Sequence, residues 1–140
     1  MAKTGQQIED DVYGMVKNSS LASFISGGVY KYDIRPRDSK KEDAIVKFVT
    51  GNVTQNPLQS GTVVVNIYIP DFDPFENGVL VRDISRCTAI EAAANKWVES
   101  LTADKSDYLF ELAQTIYTDE EPKINQHFVS IRLRFTLSTF

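Results

Sequence analysis

From His127 to Phe140 the sequence alternates with a period of two. His127, Val129, Ile131, Leu133, Phe135 and Leu137 fall on one side, and Phe128, Ser130, Arg132, Arg134, Thr136 and Ser138 on the other. Successive side chains of a strand point to opposite faces, so this is the pattern of a strand with one buried face. The C-terminal segment is therefore expected to be core, and removal of residues 135–140 is expected to abolish folding. No other stretch is as regular, and no catalytic signature approaches it.

A chain of 140 residues suits one domain, 1–140, with a single core. Hydrophobic residues at 42% and charged residues at 24% fit a globular protein. A net charge of −4 argues against a dedicated nucleic-acid binder. One cysteine excludes an internal disulfide and suits a reducing compartment. The first residues form no apolar signal segment, and no apolar run reaches the roughly 20 residues needed to cross a bilayer. The expectation is a soluble protein made inside the cell, with no membrane partner.

Ile8, Val12, Met15 and Val16 fall at helical spacing, with Thr4 and Gln7 placed as a capping box and Glu9, Asp10 and Asp11 near the start. This predicts a helix over about residues 5–18. Ser19 or Ser20 can open a short further turn carrying Leu21, Phe24 and Ile25, which Gly27-Gly28 ends. Strands are expected over Val29–Ile34, Ala44–Thr50 and Thr62–Ile69, the last two joined by the turn-rich segment Gly51–Gly61. Ile84, Cys87, Ile90, Ala94, Trp97, Val98 and Leu101 mark a long helix with Asp83 or Ser85 as its cap. Two final strands, Tyr108–Tyr117 and His127–Phe140, are joined by the acidic turn Asp119–Pro122. The predicted fold is α+β: two helices on one face of a mostly antiparallel five-stranded sheet, in the order α-β-β-β-α-β-β.

The opposite sheet face is not fully polar. Val64 and Tyr68, then Leu109, Ala113 and Tyr117, then Phe128 all fall on it. Strands apolar on both sides belong to sheets covered on both faces. Another subunit is the favoured cover, because contiguous apolar patches mark interaction sites. The alternatives are loops folding back over that face, or a sheet that curls into a half-barrel.

The candidate chemistry is sparse. His127 is the one histidine, at the mouth of its strand, where a structural role outweighs that of a general base. Cys87 belongs to a buried helix stripe. Asp71, Asp73 and Glu76 lie near Gly78 without the ligand spacing of a calcium loop. Phe72 and Phe75 in the same loop read either as aromatic anchors for a neighbouring protein or as a satellite cluster on their own domain. Lys31, Arg35, Arg37, Lys40 and Lys41 are interrupted by acidic residues, as in a mixed solvated loop rather than a phosphate patch. Arg132 and Arg134 can meet acidic residues of a neighbour such as Glu120 or Glu121, or more simply Glu111 of the same chain. No catalytic residue, metal ligand or cofactor site is assigned. Interface candidates are Phe72, Phe75, Val64, Tyr68, Tyr117, Phe128, Arg132, Arg134, Arg35 and Arg37.

The order of elements, together with segments such as Glu42–Val49 and His127–Phe135, resembles the tail-terminator and tail-completion proteins of long-tailed bacteriophages. The resemblance spans Gln6 to Phe140 and rests on pattern, not on a diagnostic motif. It implies a non-enzymatic virion part assembled in the host cytoplasm. Such a part forms a ring, commonly a hexamer, that caps the tail tube and later joins it to the head. Its partners would be copies of itself and tail-tube and neck proteins, and its modest negative charge would let DNA pass without specific binding. Another neck or head-closure adaptor is one alternative. A small ligand-binding or enzymatic α+β domain is the other, with a pocket between Trp97 and the sheet and with His127 and Tyr108 as its titratable groups.

Overall fold

A computed structural model of the chain describes residues 2–53, 58–103 and 106–138. Helix α1 (Gly5–Lys17) starts where the capping box predicts. The Thr4 hydroxyl accepts the Gln7 N–H at 3.3 Å, and the Gln7 side chain accepts the Thr4 N–H at 2.8 Å. Ile8, Val12 and Val16 form its buried stripe. Helix α2 (Ser20–Phe24) follows and buries Leu21. It ends at Ile25, whose backbone is extended, before the two glycines are reached. Gly27 serves a different purpose, since a Cβ there would lie 2.0 Å from the Asp43 carboxylate.

The strands are β1 (Val29–Lys31), β2 (Asp43–Val53), β3 (Leu58–Pro70), β4 (Tyr108–Leu112), β5 (Tyr117–Glu121) and β6 (Gln126–Ser138). They form one sheet in the order β1-β2-β3-β6-β4, with β5 also paired to β6. Helix α3 (Ile84–Ala103) lies between β3 and β4 in sequence, and a single 3-10 turn, Pro122–Ile124, leads into β6. Residues 54–57 of the predicted turn-rich segment, and the last two residues of the predicted terminal strand, 139–140, lie outside the described residues.

The α+β class holds, while three details differ from expectation. The helices number three among the described residues, because the turn after Ser19 closes into α2. The sheet is mixed, because β1 runs parallel to β2. Residues 32–42 travel back along the sheet instead of turning tightly, with Asp33 at φ 67°. The strands number six among the described residues, because the stretch read as one strand over 108–117 is two. Leu112 pairs with Leu133 and Tyr117 with Ser130, so five steps along the edge oppose three on β6. The surplus is taken up as a bulge at residues 113–116, anchored by the Ala113 N–H on the Arg132 carbonyl at 2.8 Å.

Cross-strand register stacks the core in rows: Ala44–Ile67–Val129, Val46–Val65–Ile131, Phe48–Val63–Leu133–Leu112, Gly61–Phe135–Phe110 and Gln59–Leu137–Tyr108. The apolar stripes of all three helices pack on this one face. Burial of each large side chain stabilises the fold by about 1.5–3 kcal/mol. The fourth row depends on glycine. A Cβ on Gly61 would stand 2.1 Å from the Thr50 carbonyl and 2.8 Å from the Phe135 ring.

Asp83 caps α3, its carboxylate accepting the Arg86 N–H at 3.1 Å. Cys87, Ile90, Ala94, Trp97, Val98 and Leu101 are buried as predicted. Ile84 is not. It is 61% exposed and borders a recess at the helix entrance.

Candidate functional site

Opposite the helices, the register defines a second set of rows. They run Asp43–Tyr68–Phe128–Asp119, Ile45–Asn66–Ser130–Tyr117, Lys47–Val64–Arg132 and Thr62–Arg134–Glu111. The two ends of this outer face are built differently.

At the Asp43 end, the loop after β1 folds over the sheet. The Arg35 Nε donates to Asp43 Oδ2 at 2.8 Å, and its Nη2 donates to Gln126 Oε1 at 2.9 Å and to the Lys41 carbonyl at 3.1 Å. Asp43 also accepts from the Ser39 hydroxyl and from the Gly28 N–H at 2.9 Å. Gln126 Nε2 donates to the Ser39 carbonyl at 3.0 Å. The guanidinium of Arg35 stacks 4.6 Å from the Tyr68 ring, and Tyr68 packs on Phe128 at 5.3 Å. Burial alone would raise the Asp43 pKa. The hydrogen bonds from Ser39, Arg35 and Gly28, with the Arg35 charge, outweigh it and hold the carboxyl below its ordinary range. Burial likewise pushes the Tyr68 hydroxyl up.

Arg35 is thus not a solvated loop residue but the pin of a buried network. Tyr68 is partly covered by Arg35, and Phe128 packs on Tyr68. Arg37 is exposed and borders a recess with Tyr32, Tyr68, Glu121 and Lys123. Loops folding back over the face therefore account for this end.

The other end stays open. Leu109 is 66% exposed there, while Tyr117, also exposed, stands in the second row beside the covered end. Val64 lies almost buried in its row between Lys47 and Arg132. Arg134 pairs with Glu111 at 3.6 Å, both solvated, which is the intrachain pairing foreseen. Arg132 has no acidic partner within 4.0 Å among the described residues.

Phe72 and Phe75 sit on an arm between β3 and α3. Phe72 and Val81 exchange backbone hydrogen bonds at 3.0 and 2.8 Å, closing the arm at its base. Its acidic residues do not converge. Asp71 Oδ1 lies 2.7 Å from His127 Nδ1, while Asp73 accepts the N–H groups of Asn77 and Gly78 at 3.1 and 2.8 Å. Phe72, Pro74, Phe75, Val81, Ile84 and His127 surround an apolar recess of about 630 Å³. Beside the two phenylalanines stand Val79, Leu80 and Val81, which the sequence expectations do not include. All three are exposed on the same arm, and an apolar triplet in a polar loop was the available signal.

The groups considered for catalysis are scattered. Tyr108 donates to Asp11 at 2.7 Å, and burial, then Asp11, drives its pKa far up. It pairs with Leu137, ten residues along β6 from His127, which is about 33 Å of strand. The recess beside Trp97, about 450 Å³, lies between α1 and α3 rather than between helix and sheet. Cys87 is buried, and burial raises its thiol. A forked ion pair, Arg86 to Glu42 with both contacts at 2.7 Å, ties α3 to the start of β2. No protein-family model matches the chain, and no curated protein matches it.

Proposed function

We propose that this chain is a structural virion protein, a tail terminator or tail-completion protein forming a ring, commonly a hexamer, at the head-proximal end of a phage tail tube. The observation that carries the reading is the one-sided sheet. Helices cover one face, while the other presents Leu109 and, nearer its covered end, Tyr117 to solvent. A face of this kind needs a neighbour, and subunits of a ring provide one. The exposed arm bearing Phe72 and Phe75 gives a second contact region. In this role the protein catalyses no reaction and holds no cofactor. Its partners are copies of itself, the tail tube and neck proteins.

Electron microscopy of the purified protein mixed with tail tubes tests this. The expected result is a ring of cyclic symmetry capping one end of each tube. Tubes left bare by a folded protein would sink the reading. The apolar recess beside His127 favours one competing account, a ligand-binding domain. Saturable binding of a small apolar molecule there, without tube binding, would favour it.

A further inference from the structure

We infer that the arm of one copy docks on the open half of the outer sheet face of the next copy, Phe75 against the Val64 row and Glu76 toward Lys47 and Arg132. The inference rests on the ring reading and names the two surfaces that would join its subunits.

The arm presents its apolar groups outward. Phe75 is 75% exposed, and Phe72, Val79 and Leu80 are exposed beside it. It nonetheless has a defined shape. The Phe72–Val81 hydrogen bonds close its base, Asp73 holds the backbone of Asn77 and Gly78, and positive φ at Glu76 (53°) and Gly78 (80°) turns the tip. A loop already ordered loses little conformational freedom on binding, so an exposed aromatic anchor on it retains most of its burial energy.

Charge selects the surface that the arm meets. Asp73 and Glu76 flank Phe75, and no basic residue stands between Asp71 and Val81. On the open sheet face, Lys47, Arg132 and Arg134 stand in two adjacent rows with Glu111 as the acidic member. In a chain of net charge −4, that is a local basic concentration facing an acidic tip. Leu109 supplies exposed apolar ground beside these charges, while Val64 lies almost buried between Lys47 and Arg132. Four strands span roughly 14 Å, wide enough to seat one aromatic tip.

The arm leads into α3 on the helix-covered side, and the receiving face is the opposite one. Two different patches meeting make a heterologous contact. Such a contact propagates from copy to copy and closes into a ring when the rotation allows.

Sedimentation velocity at high concentration tests the contact with the wild-type chain, Glu76→Lys, Lys47→Glu, and the two combined. Arg132→Glu serves as a second receiving-face variant. Wild type is expected to assemble. Each single reversal should weaken assembly about tenfold or more, and the double reversal should restore most of it. Phe75→Ser should weaken assembly as much, with an unchanged thermal melt. Assembly indifferent to every one of these changes overturns the arm-to-face contact and leaves the ring reading standing. Assembly that follows the charges but never caps a tail tube overturns the tail reading and leaves the contact. A wild-type chain that stays monomeric at millimolar concentration overturns both.

Discussion

Replacing Arg35 by alanine should be among the most damaging single changes outside the apolar core. Asp43, with its side chain 1% exposed, would keep the bonds from Gly28 and Ser39 but lose its ion pair with Arg35. Gln126 would lose the donor to its carbonyl oxygen, and Tyr68 the guanidinium stacked on its ring. Removing one partner of a buried pair costs about 3–5 kcal/mol, because the other charge is left uncompensated. Arg35 retains some solvent contact at 14%, which places the expectation near the lower end, about 3 kcal/mol. For a domain of this size that is a fall in Tm of about 10–15 °C.

Urea unfolding followed by circular dichroism, at neutral pH and again in acid, measures it. The folded-state pKa of Asp43 lies below the unfolded value of about 3.9, so its contribution is fully present above that value. It disappears as pH falls through the lower, folded value. The gap between wild type and Arg35→Ala should therefore narrow in acid. The double variant Arg35→Met with Asp43→Asn should lose less than Arg35→Ala alone. A loss under about 1 kcal/mol that does not change with pH would mark the pair as an ordinary surface contact and refute this account.

Gly61→Ala should cost about 1–3 kcal/mol in chemical unfolding, since the new methyl would collide with the Thr50 carbonyl and the Phe135 ring. Deleting residues 135–140 should abolish cooperative unfolding, because Phe135 and Leu137 are buried in the core at about 2–5 kcal/mol each. A soluble truncated chain with a sharp thermal transition would contradict this. Thr4→Ala should lower stability by about 1 kcal/mol through loss of the α1 cap, and Thr4→Ser should recover most of it.

The parts of the fold written in local pattern were legible in the sequence. Thr4 and Gln7 announced α1 because both halves of a capping box lie within one turn. The alternation after His127 announced β6, because a strand with one buried face repeats every two residues. Cys87 to Leu101 announced the buried stripe of α3. What was hidden depends on distant partners. Nothing near Val29 says that β1 will lie parallel to β2, since that follows from where residues 32–42 lead the chain. The bulge at residues 113–116 is a mismatch of count against β6, visible only once the register is known. Arg35 looked like one cation among many in a polar loop, and one of its acceptors, Gln126, is 91 residues away. Of the surface candidates, Phe75, Tyr117 and Arg134 lie exposed as their polar or outward settings suggested. Arg35 was absorbed into the network, and Tyr68 was partly covered by Arg35.

The broken edge formed by β4 and β5 has a consequence for how copies can meet. Unpaired strand edges invite foreign strands, and a long flat edge can template aggregation. The β4–β5 edge is two five-residue pieces separated by the bulge, while on the other side β1 pairs only with Ala44–Val46 and leaves Lys47–Val53 of β2 without an outer strand neighbour among the described residues. An incoming strand finds no continuous ladder along β4 and β5. Backbone-to-backbone zipping between copies is thus discouraged on that side, and association there is left to side chains on faces and loops. Contacts of that kind form at one geometry and not at a slipped register, which lets a protein join its neighbours in counted, finite numbers.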